Sequence, residues 1–222
     1  WEESEDHRLD DTSWYDFAGE TSAAATPVSV QVQAWSSDSR FLAWGSITGP
    51  IGVWEVAGEK GPRVLAGHTT QVTDLAWMTD NTRLISTSCS IGKADQSVRE
   101  WDISNGQQLS VTRLPDHVSV LAVAWSPVRT VLATAESDGT VWLWDSESAT
   151  EIAPLIGHGK RTAGLAWAPK EPLLASADRD GKIIIWDVLN QTSLTPIDPL
   201  NKAVYSLAWS LDGKTLAALD FF

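Results

Sequence analysis

Apolar and polar positions along this chain fall in short bursts, with no long helical runs. "GTVWLWD" (139–145) and "GKIIIWD" (181–187) are dense in β-branched and aromatic residues, which predicts central strands. "VLATA" (131–135) and "LLASA" (173–177) are short apolar runs just before them. Between run and strand lie Asp138-Gly139 and Asp180-Gly181, residue types of tight hairpin turns. "SPVR" (126–129) and "APKEP" (168–172) predict the turn before each run. A further short strand is expected after each Trp-acid pair, in "RVLAG", "QQLSV" and "EIAPLI". That makes four antiparallel strands per unit, and no segment offers the helical crossover a parallel sheet needs.

The bursts repeat. Ala-Trp occurs at 34–35, 76–77, 124–125, 166–167 and 208–209, so these tryptophans are spaced 42, 48, 42 and 42 residues apart. A second series, Trp54, Trp101, Trp144 and Trp186, is followed each time by an acid: Glu55, Asp102, Asp145 and Asp187. The first tryptophan leads the second by 19, 24, 19 and 19 residues. The odd value has a local source, about five extra residues within "TSCSIGKA" (87–94). Self-similarity at this period marks a repeat architecture. Strand periodicity alone would also permit a β-sandwich.

Four-strand units of about 42 residues, with Gly-His before and Trp-Asp after, resemble the WD-repeat family of β-propellers. The resemblance covers residues 28–222. It implies an all-β propeller, partial or open, of about five four-stranded antiparallel blades. The units lie near 28–57, 64–103, 113–147 and 154–189, with 200–222 incomplete. It also implies a hydrogen-bonded set of His, Ser or Thr, Asp and Trp in each blade. Matched to this chain, the sets are His68, Ser86, Asp95, Trp101; then His117, Thr134, Asp138, Trp144; then His158, Ser176, Asp180, Trp186. In each, the Asp stands six residues before the Trp, even across the insertion. The middle set has Asp116-His117 in place of Gly-His. The first unit carries Trp44 and Thr48 where the hydroxyl and the acid belong, so its set is absent.

The physical logic of such a set is bracing. A His tying a connecting loop to an Asp in a hairpin turn fixes two loops on one rim, and a buried indole N–H needs an acceptor. His, Ser and Asp also suggest a nucleophilic triad. The set recurs once per unit, however, whereas a catalytic centre is single, and no strand–Gly-x-Ser-x-Gly–helix elbow is present. Three histidines in separate units and one cysteine, Cys89, make no zinc-ligand spacing. The expectation is architecture, with no catalytic residue, cofactor or metal.

Composition narrows the function classes. At 43% hydrophobic and with thirteen tryptophans, the 222 residues can bury a real core. Trp35, Trp77, Trp125, Trp167 and Trp209 recur in register and are expected in it, as is Trp142, on the same strand side as Trp144. Trp1 and Trp14 fall outside the pattern. Net charge is −13, with eight acids against Arg8 in residues 1–20, which argues against a nucleic-acid or anionic-membrane surface. No stretch approaches the apolar length of a membrane span. One cysteine and no signal-peptide pattern suit a cytoplasmic protein.

The chain starts at Trp1 and its only methionine is Met78, so it is expected to be a processed product or a piece of something longer. Residues 1–27 read as a solvated acidic segment, or "SWYDFAG" within them as a closing outer strand. An open arc that left on the order of 400 Å² of apolar face bare at each end would forfeit about 10 kcal/mol per end. Other domains of a longer parent chain, or a second copy, are expected to cover those ends.

A rigid ring with variable loops is a display surface. The resemblance implies a non-catalytic scaffold for a protein or peptide partner. Candidates on the loop rim are Lys160 and Arg161 after His158, Arg179 before Asp180, and Thr69, Thr70 and Gln71 after His68. The insertion from Cys89 to Ala94 is expected on the same rim. These are ordinary solvated loop residues on one reading. On another, their basic spot takes an acidic or phosphorylated peptide. On a third, the acidic N-terminal segment folds back onto it. The alternative function is the sensor or substrate-recognition region of a larger signalling protein, a nucleotide-binding regulator or a kinase, with its active domain outside this chain.

Overall fold

The computed structural model describes residues 29–58, 61–89, 95–113, 119–145, 148, 150–194, 197 and 202–220. Each apolar burst forms a strand. Sheet one holds β1 (Val30–Trp35), β2 (Phe41–Ser46), β3 (Ile51–Glu55) and β4 (Arg63–Leu65). Sheet two holds β5 (Val72–Trp77), β6 (Arg83–Ser88), β7 (Ser97–Asp102) and β8 (Gln108–Arg113). Sheet three holds β9 (Val120–Trp125), β10 (Val131–Glu136), β11 (Val141–Asp145) and β12 (Thr150–Leu155). Sheet four holds β13 (Thr162–Trp167), β14 (Leu173–Asp178), β15 (Ile183–Asp187) and the short β16 (Thr192–Ser193). Sheet five has two described strands, β17 (Val204–Trp209) and β18 (Leu216–Asp220).

All neighbouring strands pair antiparallel, in one common register. The Ala of each Ala-Trp faces the centre of the next strand: Ala34 opposite Ala43, Ala76 opposite Ile85, Ala124 opposite Ala133, Ala166 opposite Ala175, Ala208 opposite Ala217. The first strands then pack side by side in sequence order, β1 on β5, β5 on β9, β9 on β13 and β13 on β17. The sheets therefore radiate from an axis as propeller blades. The sequence units cut the chain one strand away from the sheets. Val64, at the start of the 64–103 unit, lies in β4 and hydrogen-bonds into sheet one.

The core sits at the seams between sheets. Leu65, Val72, Leu84 and Trp101 pack between sheets one and two, and Leu143, Leu155, Trp167, Leu174 and Trp186 between three and four. The cluster between two and three is smaller: Ala76, Ile85, Val123 and Leu132. Indoles of the first strands also cross the seams. Trp77, Trp167 and Trp209 donate Nε1–H to the carbonyls of Ala34, Ala124 and Ala166 in the preceding sheet, at 3.0, 3.0 and 3.1 Å. Between sheets two and three the crossing bonds include Thr73 Oγ1 to the Val120 carbonyl (3.1 Å) and Asp74 Oδ2 accepting the Val123 amide (2.7 Å).

Several core expectations need correction. Trp35 is 55% exposed, because among the described residues no sheet precedes β1 for its indole to cover. Trp142 is half-buried beside Trp144, ring centroids 6.3 Å apart, and Trp77, Trp125 and Trp209 are likewise half-buried, packed against the seam clusters. At the other end, Leu219 on β18 is 63% exposed. No helix among the described residues is long and apolar enough to cross a membrane. The expectations for residues 1–27, including "SWYDFAG", Trp1 and Trp14, and for His117 lie outside the described residues.

Candidate functional site

Sheet two assembles a complete polar set. His68 Nδ1 lies 2.9 Å from Asp95 Oδ2, its Nε2 lies 2.8 Å from Ser86 Oγ, and Trp101 Nε1 donates to Ser86 Oγ at 2.7 Å. The proton order follows from donor chemistry. An indole N–H only donates, so Ser86 accepts from it and gives its own proton to His68 Nε2. His68 Nδ1 then carries the proton toward Asp95. Burial pushes the His68 imidazole below its ordinary pKa, against the pull of Asp95, so the neutral form fits this chain of donors. Burial pushes Asp95 up, but the Ser97 hydroxyl, the Thr69 amide and His68 together outweigh it and hold the carboxyl below its ordinary value.

Sheet four builds the same set with a different acid. His158 Nδ1 lies 3.0 Å from Asp178 Oδ2, its Nε2 lies 2.7 Å from Ser176 Oγ, and Trp186 Nε1 donates to Ser176 at 2.7 Å. The expected Asp180 is instead exposed in the β14–β15 turn. Strand alternation explains the correction. Residues 176 and 178 project from the same face of β14, toward His158, whereas Asp180 has left the strand. Asp178 is 1% exposed and also accepts the amides of Asp180 and Lys182, both at 3.0 Å.

Sheet three shows part of a set among the described residues. Trp144 donates to Thr134 Oγ1 at 2.9 Å. Asp138 is exposed in its turn and accepts the Thr140 amide at 2.8 Å. The same alternation places Glu136 beside Thr134, 5% exposed. Burial, then the charges of Asp138 and Glu151, push its carboxyl up to about 7, against a hydrogen bond from Trp142. In sheet one Trp44 fills the hydroxyl's place and lies against Gly52, where a Cβ would collide with its indole. Ser86 and Ser176 are fully buried, so neither hydroxyl can meet a substrate.

The turns that bear these sets lock onto neighbouring loops. Gly139 has φ 99°, and a Cβ there would sit 2.7 Å from the Lys160 carbonyl, so only glycine fits. Thr162 Oγ1 donates to the Gly139 carbonyl at 3.1 Å.

Along the axis runs a cavity of about 1160 Å³, lined by residues from the first strand of all five sheets. Thr69, Thr70, Gln71, Cys89, Arg161 and Arg179 line it as well. The structure thus brings together five of the six rim candidates. Lys160 is exposed and is not among the lining residues. The Arg179 amide donates to the Arg161 carbonyl at 3.2 Å, and the Arg179 guanidinium lies 5.4 Å from the Tyr205 ring centroid. The Thr70 hydroxyl is 2.7 Å from Ser88 Oγ.

Sequence reasoning missed Asp178, Glu136, Asp74 and Tyr205. Asp74 had a legible signal: in register with Val32, Ala122, Gly164 and Ser206, it is the one charged residue. Burial pushes its carboxyl up to about 7, against the Val123 and Leu75 amides that it accepts.

Comparison with known proteins agrees with this architecture. A family model described as "WD domain, G-beta repeat" matches residues 60–102, 108–145 and 149–187, together more than half of the chain. Protein FIZZY-RELATED 3 of Arabidopsis thaliana is 30% identical over 129 residues, covering 57% of this chain and 26% of that protein. B-type cell cycle switch protein ccs52B of Medicago truncatula is 29% identical over 127 residues, covering 57% and 26%. Protein HIR1 of Cryptococcus neoformans is 33% identical over 129 residues, covering 51% and 14%. The chain thus matches about a quarter or less of these relatives' length. Among solved structures, the β-propeller domain of Myceliophteria thermophila Cps50 (Swd1) superposes with a TM-score of 0.76. That match covers 88% of this chain and 63% of the other at 18% identity, a likeness of fold.

Proposed function

Because this chain belongs to the WD-repeat family of β-propellers, we propose that it is a non-catalytic scaffold on which an acidic or phosphorylated segment of a protein partner docks over the axial cavity. One observation carries the reading. Arg161 and Arg179, on different loops of sheet four, are joined through their backbones and line the same cavity as Thr69, Thr70 and Gln71, which lead into β5. Two guanidinium forks at one mouth suit carboxylates or a phosphate, which accept paired N–H donors. The net charge of −13 makes such a spot stand out and repels acidic chains elsewhere.

Charge reversal tests it. With Arg161→Glu and Arg179→Glu together, capture of a labelled acidic phosphoserine peptide should weaken roughly tenfold or more. The melting temperature should hold, because both side chains are exposed. Lys160→Glu should weaken capture less. Unchanged capture by the double variant refutes the reading. A second reading, the recognition region of a larger regulatory protein, is supported by relatives several times longer than the match, one of them named a cell cycle switch protein.

A further inference from the structure

We propose that residues 2–20 of this chain occupy the same rim, making the acidic segment a built-in competitor for an acidic partner. The inference rests on the reading of Arg161 and Arg179 as an anion-binding pair. Charge points to the occupant. Residues 1–20 hold eight acids and one arginine, a net −7 of the whole chain's −13.

Placement points the same way. The chain enters the fold at Ser29, whose carbonyl accepts the Ile47 amide at 3.1 Å. Gln31, Val32, Ile47 and Thr48, all near this entry, line the same cavity as the two arginines. The segment is therefore delivered to the cavity mouth by covalent connection. The cavity volume equals that of a sphere about 13 Å across. Between the acids and Ser29 stand eight uncharged residues, "TSAAATPV". Eight residues reach at most about 28 Å, so the connection is long enough to cross that width. Tethering at this range gives an effective concentration on the order of millimolar. A weak ionic contact is then populated, and an incoming acidic peptide must displace it.

The contact can be read without any partner. Cys89 is the only cysteine and lines the cavity, so a nitroxide attached there reports on its contents. In the full chain, the label should broaden the amide resonances of residues 2–20. The broadening should vanish with Arg161→Glu and Arg179→Glu, and fade at about 0.5 M salt, where screening acts within roughly 4 Å. Unbroadened resonances, or broadening that survives charge reversal, overturn the proposal. A second full-chain variant leaves the fold untouched by replacing the eight acids with their amides. It should bind the labelled phosphoserine peptide about fivefold or more tightly at low salt, and equal affinity overturns the competition. If broadening depends on the arginines but neither chain binds the peptide, the internal contact stands and the external acidic partner falls.

Discussion

Sheets three and four are close copies in sequence, "VLATAESDGTVWLWD" against "LLASADRDGKIIIWD", yet among the described residues their buried acids meet different partners. In sheet four, Asp178 sits two residues beyond Ser176 and closes onto His158 and two backbone amides. In sheet three, Glu136 sits two residues beyond Thr134, one methylene longer, and Trp142 stands where sheet four has Ile184. The Trp142 indole takes the carboxyl, which Asp138 and Glu151 also crowd. A chain-length step in the acid and an indole across the strand pair accompany the raised carboxyl pKa of Glu136.

The largest expected effect separates the true acid of sheet four from its neighbour. Asp178→Ala strands the His158 N–H and two amides, and should cost about 3 kcal/mol or more by urea unfolding. Asp180→Ala should stay within about 0.5 kcal/mol. Equal losses would return Asp180 to the set.

Next is the pH dependence of sheet three. Folding raises the Glu136 pKa from 4.5 to about 7, so the folded chain holds this proton more tightly than the unfolded one. Its contribution is full below about pH 4.5 and is lost as pH climbs through 7. Glu136→Gln should therefore stabilise at pH 8 by on the order of 2–3 kcal/mol and change little near pH 4. Asp178→Asn should instead destabilise at pH 8. Asp74, raised from 3.8 to about 7, has the same sign as Glu136 and keeps its own slope in both variants.

A smaller effect concerns the first turn of each sheet. Ser36 and Ser210 donate to Asp38 and Asp212, both at 2.6 Å. Sheet three has Val128 in that place, and among the described residues the fully buried Ser126 Oγ has no hydrogen-bond partner. Sheet four replaces the serine with Ala168 and leaves nothing to satisfy. Val128→Asp should raise stability by about 1 kcal/mol, measured as a shift in urea midpoint. The smallest contrast is between tryptophans. Trp209→Phe removes a bond across a seam and should cost about 1 kcal/mol, while Trp35→Phe should be silent.

Most of the architecture was legible because strand alternation and turn residues are local. The five Ala-Trp strands and the two described strands of the last sheet read directly. So did the set of sheet two, where Asp95, six residues before Trp101, meets His68. The six-residue count back from the tryptophan then misplaced the acid in sheet four. It measures distance along the turn, whereas the face of the strand, counted from Ser176 or Thr134, decides which carboxyl points inward. Trp35 misled for a related reason: a register reports what a residue resembles, not whether a neighbour covers it. The Asp74 bond to Val123 depends on how one sheet slides along the next, which no single strand encodes.

The indole bridges from Trp77, Trp167 and Trp209 all point backward, each to the sheet before it. The assembly therefore has polarity, like a zipper with hooks on one side only. Interactions pass from neighbour to neighbour, so loosening should advance sheet by sheet from wherever a bridge is lost. Amide exchange should then be graded from sheet to sheet around the axis.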